Sequence, residues 1–120
     1  MKVLNCSSHN LTNEQIVELK DFEIVELPKE LKEAWGQLTP KNYIYICKEI
    51  IKFCHNSNID VIHLAGFPLA VVYLCSMEPN IKKISAYSKR VVVEQRLENG
   101  EVIKKSIFKH EGFYKFEKIA

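Results

Sequence analysis

Three short polar stretches carry the groups that could do chemistry. Ser88-Lys89-Arg90 sets a hydroxyl beside two cations, between the apolar run 84–87 and the β-branched run Val91-Val92-Val93. An arginine fork holds a phosphate through two hydrogen bonds, and a lysine adds a point charge. Neighbouring residues on a strand point to opposite faces, so one of the two cations serves a given pocket. Arg90 is the first choice and Lys89 the second, although a solvated charge pair at a strand end accounts for the same residues. Ser7-Ser8-His9-Asn10 closes the first apolar run just before a helix start. Exposed amides, hydroxyls and the helix dipole attract an anion there, and the same residue types also satisfy the backbone of an ordinary turn. Ala65-Gly66-Phe67-Pro68 follows the middle apolar run. Gly66 lets backbone approach a ligand closely, the helix that follows again presents amides, and Phe67 is counted with Gly66 among the ligand-binding candidates.

Other ionisable residues are weaker candidates. Glu94 and Arg96 share a strand face and suit either a pocket rim or a salt-bridged surface. His110, between Lys109 and Glu111, could transfer a proton, whereas a lone histidine is more often structural. His55 ends a helix and His63 lies inside a strand, so neither is a first choice. Cys6, Cys47, Cys54 and Cys75 sit in apolar runs with no C-x-x-C pair, which reads as reduced, buried thiols. No grouping of His, Asp, Glu and Cys has metal-ligand spacing, so the expected site needs neither metal nor cofactor. One glycine is not a dinucleotide fingerprint, and no P-loop lysine motif occurs.

The elements that must hold these residues follow from periodicity. Residues 2–7 predict a central strand, and Thr12 with Gln15 predicts a capping box that starts a helix with Ile16, Val17 and Leu19 inward. A second strand is expected over 22–27, then a short helix over 28–35 with Trp35 as a lid on the core edge and Gly36 as its stop. Thr39-Pro40 is expected to open a long helix that carries apolar residues at helical spacing through Cys54 and ends near Ser57-Asn58. Residues 60–65 predict a buried strand and 69–77 an almost uncharged helix, covered on more than one side or lining a dimer interface. A strand over 84–87, the polar break 88–90, and strands 91–97 and 102–108 around Glu98-Asn99-Gly100-Glu101 complete the pattern, with a short final strand over 113–120. Alternating strands and helices imply an α/β fold: a Rossmann-like, mainly parallel sheet with helices on both faces and a C-terminal antiparallel hairpin, in one domain over 1–120.

Composition sets outer bounds. With 120 residues, 47% hydrophobic and 27% charged, the chain can bury one core. A net charge of +2 argues against general duplex-DNA binding. The start has no signal-peptide series and no apolar run reaches membrane-spanning length, so a cytoplasmic location is expected.

Taken together and in order, Ser8-His9-x-Leu11-Thr12-x-x-Gln15, Ala86-Tyr87-Ser88-Lys89-Arg90, Glu98-Asn99-Gly100 and Phe108-Lys109-His110 span nearly the whole chain. They resemble small stand-alone CRISPR-associated proteins of the Csx type, related to the CARF (CRISPR-associated Rossmann fold) domains and regarded as ring nucleases of type III systems. The resemblance implies a homodimer that binds a cyclic oligoadenylate, typically the tetra-adenylate ring, across its two-fold axis. It also implies metal-independent cleavage by the substrate's own 2′-hydroxyl. On that resemblance Ser8 and His9 would contact ring phosphates or ribose, Gly66 would let the ring approach, Ser88 and Arg90 would clamp the scissile phosphate, and His110 would protonate the leaving oxygen. A non-catalytic sensor or sponge for the same ring is the alternative.

Overall fold

A computed structural model describes residues 1–116, and the structural statements below concern those. In chain order the elements are β1 (Lys2–Cys6), α1 (Asn13–Glu18), β2 (Glu23–Glu26), α2 (Lys29–Trp35), α3 (Tyr43–Asn56), β3 (Val61–Leu64), α4 (Pro68–Ser76), β4 (Lys82–Arg96) and β5 (Val102–Lys115). They build an α/β fold around one five-stranded sheet in the order β2-β1-β3-β4-β5. The first three pairings are parallel and β4–β5 is antiparallel. No helix among the described residues is long and apolar enough to cross a membrane.

The short strands β1 and β3 are apolar because both faces are covered. Val3 and Leu4 of β1 register with Val61 and Ile62 of β3, so alternate side chains feed two cores. Leu4, Cys6, Ile62 and Leu64 join Trp35, Cys47, Ile50, Cys54, Ala70 and Leu74 in the larger one, under α2, α3 and α4. Val3 and Val61 join Leu19, with Phe22, Ile84 and Phe113 around them, on the opposite face beside α1. Three helices therefore cover one face and a single six-residue helix the other.

Several sequence expectations change in detail. The capping box forms as expected, Thr12 Oγ1 accepting from Gln15 N at 3.3 Å and Gln15 Oε1 from Thr12 N at 2.9 Å. Of the three residues expected to face inward only Leu19 is buried, while Ile16 and Val17 are 44% and 67% exposed. A two-turn helix covers too little sheet to bury a full apolar face. The long helix begins three residues later than expected, because Thr39 and Asn42 spend their side chains on a turn: Asn42 Oδ1 accepts from Thr39 N at 2.8 Å, and Thr39 Oγ1 from Lys41 N at 3.2 Å. Helix α4 buries Ala70 and Leu74 but leaves Leu69 and Val72 exposed, so it is not enclosed between layers.

The largest difference lies in the C-terminal third. Residues 88–90 do not interrupt two strands; β4 runs unbroken through them, with a register shift between Tyr87 and Ser88 where β5 inserts Glu111. Such a bulge absorbs one extra residue without ending the ladder. Likewise β5 runs to Lys115 instead of stopping at 108, and the expected final strand falls partly on residues 117–120, outside the described ones. The turn at 98–100 is as expected: Gly100 takes φ +86° and Leu97 N donates to Glu101 O at 2.7 Å. Because β3 pairs only with Lys82, Lys83 and Ile84, the rest of β4 and its partner form a two-stranded ribbon, and the molecule measures 57 × 35 × 34 Å.

Candidate functional site

From β1 the chain crosses over one face to reach β2, and later leaves β3 over the other face to reach β4. The chain thus leaves β1 and β3 over opposite faces, which makes the carboxyl ends of these neighbouring parallel strands the topological switch point, the usual ligand position in such sheets. Ser7 is buried just past the end of β1, its Oγ accepting from His9 N at 3.1 Å, so it shapes the turn. Ser8, His9 and Asn10 are exposed or nearly so. Asn10 Oδ1 accepts from Lys32 Nζ at 3.0 Å, and Lys32 also lies 3.5 Å from Glu26. A shallow cavity of about 600 Å³ beside them is lined by Ser8, Glu26, Lys29, Lys32 and Gly36 among others. Its cations, Lys29 and Lys32, come from α2 and were no part of the sequence expectation.

The role given to Gly66 changes. What stands against it is Trp35: a Cβ on Gly66 would lie 2.7 Å from Trp35 Nε1, which donates to Ala65 O at 2.9 Å. The glycine makes room for an indole that closes the core, and Trp35 is the lid expected of it. Phe67 packs edge-on against Tyr43 at 6.1 Å between ring centres.

A buried polar string crosses the α1-side face near the carboxyl ends of the parallel strands. Asn5 and His63 register with each other, and Asn5 with Glu26. Asn5 Nδ2 donates to His9 O at 3.0 Å and to Glu26 Oε2 at 3.1 Å, while Asn5 Oδ1 lies 2.9 Å from His63 Nδ1. As an acceptor, Oδ1 requires the proton on Nδ1, which leaves His63 Nε2 as a lone pair; that atom is enclosed with no partner among the described residues. Burial, then the nearby His110, push the His63 pKa below the ordinary histidine value, which favours the neutral ring. His63 and His110 both pack edge-on against Phe113, at 5.3 and 5.1 Å. His110 Nε2 lies 2.8 Å from Glu18 Oε2 at the end of α1, and its Nδ1 is enclosed. One continuous series thus runs from the His9 backbone through Asn5, His63 and Phe113 to His110 and Glu18.

The ribbon carries the remaining candidates. Its register pairs Ser88 with His110, Arg90 with Phe108 and Glu94 with Lys104, so these residues share the face that holds Phe113 and His63 nearer the core. Lys89, opposite Lys109, points to the other face. Both cations are exposed, and no ion pair among the described residues engages either. The fold therefore brings Ser88, Arg90 and His110 onto one face and ties His9 to His63 through Asn5. It does not join the two groups by any direct hydrogen bond among the described residues.

The thiols are unsuited to nucleophilic work. Burial raises Cys47 to about 11 and, with Glu78 nearby, Cys54 to about 12, and it drives Cys6 well above the ordinary thiol value. No group of three or more metal-ligating side chains comes together among the described residues. Sequence reasoning missed Asn5 and set His63 aside, and it missed Glu18 and Glu26. For the first two a signal existed: a polar residue stands at the same register position in each of two otherwise apolar central strands. Nothing in the sequence marked Glu18 as the partner of His110, which is 92 residues away.

Comparison with known proteins gives a family. The model described as "Uncharacterized protein MJ1673 family" matches residues 1–114. A protein of Methanocaldococcus jannaschii, "Uncharacterized protein MJ1673", is 29% identical over 119 residues, covering 91% of this chain and 92% of that protein. No solved structure matches significantly.

Proposed function

The chain belongs to the MJ1673 family, and we propose that this member binds a cyclic oligoadenylate, of the tetra-adenylate size, and cleaves it without a metal. The proposed setting is the cytoplasm, in type III CRISPR antiviral signalling, where loss of the ring would end the signal. The sheet order is read as Rossmann-like, and the ligand is placed over the two-fold axis of a homodimer. One observation carries this reading: Ser88, Arg90 and His110 lie on one face of the β4–β5 ribbon.

In the proposed reaction the ribose 2′-hydroxyl attacks the adjacent phosphorus in line. The new P–O2′ bond closes a 2′,3′-cyclic phosphate as the P–O5′ bond breaks, and the 5′ oxygen leaves as a hydroxyl. Since the nucleophile belongs to the substrate, the protein has to orient it and stabilise charge on the phosphoryl oxygens. Arg90 supplies the forked donor and Ser88 a hydroxyl; Lys89 adds positive potential from the opposite face. Exposed His9 takes the 2′ proton, and His110 returns one to the leaving oxygen once its Nε2 is released from Glu18, since its Nδ1 is enclosed. Ser7 and Asn10 hold the loop, Gly66 and Phe67 bound the site on the β3 side, packed on Trp35 and Tyr43, and Glu94 lies farther along the ribbon face.

Incubation with cyclic tetra-adenylate in EDTA tests the reading. Linear products ending in 2′,3′-cyclic phosphate are expected, and an intact ring after long incubation at high protein concentration rejects cleavage. The open, solvent-facing position of Arg90 also suits a sponge that sequesters the ring, and tight binding without products identifies that case. Arg90→Ala weakens ring binding about ten-fold or more in both cases, since hydrogen bonds to charged groups contribute about 1.5–3 kcal/mol. Unchanged affinity would remove Arg90 from the site.

A further inference from the structure

The ribbon leaves an unusual edge. Strand β3 pairs with β4 only at Lys82, Lys83 and Ile84, so from Ser85 to Arg96 the side of β4 away from β5 has no strand beside it among the described residues. A long unpaired edge is a template for another strand, and proteins block such edges with charge, proline or cover when they are not used. The two edges of this ribbon differ in that respect. On β5 an antiparallel second copy centred on Ile107 would set Lys105 against Lys109, a like-charge pair on each side of the axis. On β4 the run Lys89-Arg90-Val91-Val92-Val93-Glu94-Gln95 is complementary to itself when reversed about Val92. Arg90 then faces the partner's Glu94, Val91 faces the partner's Val93, and Val92 meets its own copy.

We propose that a second copy of this chain pairs antiparallel on the free edge of β4, with Val92 on the two-fold axis, joining two ribbons into one four-stranded sheet. A two-fold axis normal to the sheet keeps each residue on its own face, and the register above satisfies that condition because paired numbers share parity. Moving the axis one residue to Val93 would oppose Arg90 with Arg96, and moving it to Val91 would set Arg90 against valine, so Val92 is the register that charge selects. Pairing also explains why a bare ribbon persists: two strands alone are marginal in water, and Val92 is 59% exposed in the single chain. The inference does not need the nuclease reading. Where that reading holds, it locates the dimer axis and sets the two Arg90 side chains about 14 Å apart along the strands, four residues at about 3.4 Å each.

The test uses the full chain without nucleotide, so its failure is separate from failure of the nuclease reading. Sedimentation equilibrium should find a dimer at micromolar concentrations. Arg90→Glu and Glu94→Arg should each weaken it at least about ten-fold by opposing like charges, and the double exchange should restore it to within about three-fold. Directly opposed residues in an antiparallel pair lie about 4.5–5.5 Å apart at Cα, within disulfide reach. Val92→Cys should therefore cross-link two copies on mild oxidation, and Ile107→Cys should not. A monomeric protein at all concentrations overturns the proposal. So does a dimer that ignores both charge reversals, or one that cross-links through position 107 instead of 92.

Discussion

The parallel half of the sheet and the β4–β5 ribbon obey different physical rules, although they share one hydrogen-bonded ladder. In β1 and β3 nearly every side chain is buried, and residue choice is explained by packing. In the ribbon beyond Tyr87 almost every side chain is exposed, including Phe108 at 75%, and packing explains none of it. A residue choice without a packing reason invites a functional one. The ribbon is therefore where partner and ligand contacts are expected, and the parallel half is where stability resides. The buried Asn5–His63 pair is an exception inside the packed half, a polar connection kept where apolar residues would be cheaper.

Substitutions can break or sharpen this contrast. The largest expected effect is Leu4→Ala, which empties the centre of the main core and should cost about 3 kcal/mol in urea unfolding. A loss below 1 kcal/mol would show that the parallel half is not the stable one. Next is Asn5→Ala, which leaves the buried His63 Nδ1 and the His9 carbonyl without their partner and should cost about 1–3 kcal/mol. Full stability in that variant would mean that the polar string is dispensable.

Acidification comes third. The folded pKa of His63 lies below 6.5, so as pH falls the unfolded chain takes up the proton first. Stability present above pH 6.5 is lost on going below it, down to the folded pKa. Unfolding midpoints measured from about pH 7 to pH 5 should fall, and His63→Gln should flatten that slope. The smallest effect is expected from Ile107→Ala in the ribbon, within about 0.5 kcal/mol by the same unfolding measurement. A cost near that of Leu4→Ala would show the ribbon to be part of the folding core.

Much of the fold was legible because periodicity and caps are local. The Thr12–Gln15 box, the long apolar stripe of α3, the buried strands and the Gly100 turn were all readable from spacing alone. Gly66 misled, because a glycine marks close approach without saying what approaches; the answer, Trp35, comes from 31 positions away. The break expected at 88–90 misled for a related reason. Polar residues in a strand look like a loop when nothing local tells whether the strand stays inside the globule or leaves it.

From the sequence by itself came the classes of residue and their local periods: an α/β alternation, reduced apolar cysteines, no metal spacing, and a hydroxyl–cation cluster suited to phosphate. Tertiary structure alone decided which face each of these meets. Only pairing register could set Arg90, Ser88 and His110 together and turn Lys89 away, because side-chain direction in a sheet alternates with every residue and one inserted residue, here Glu111, resets it.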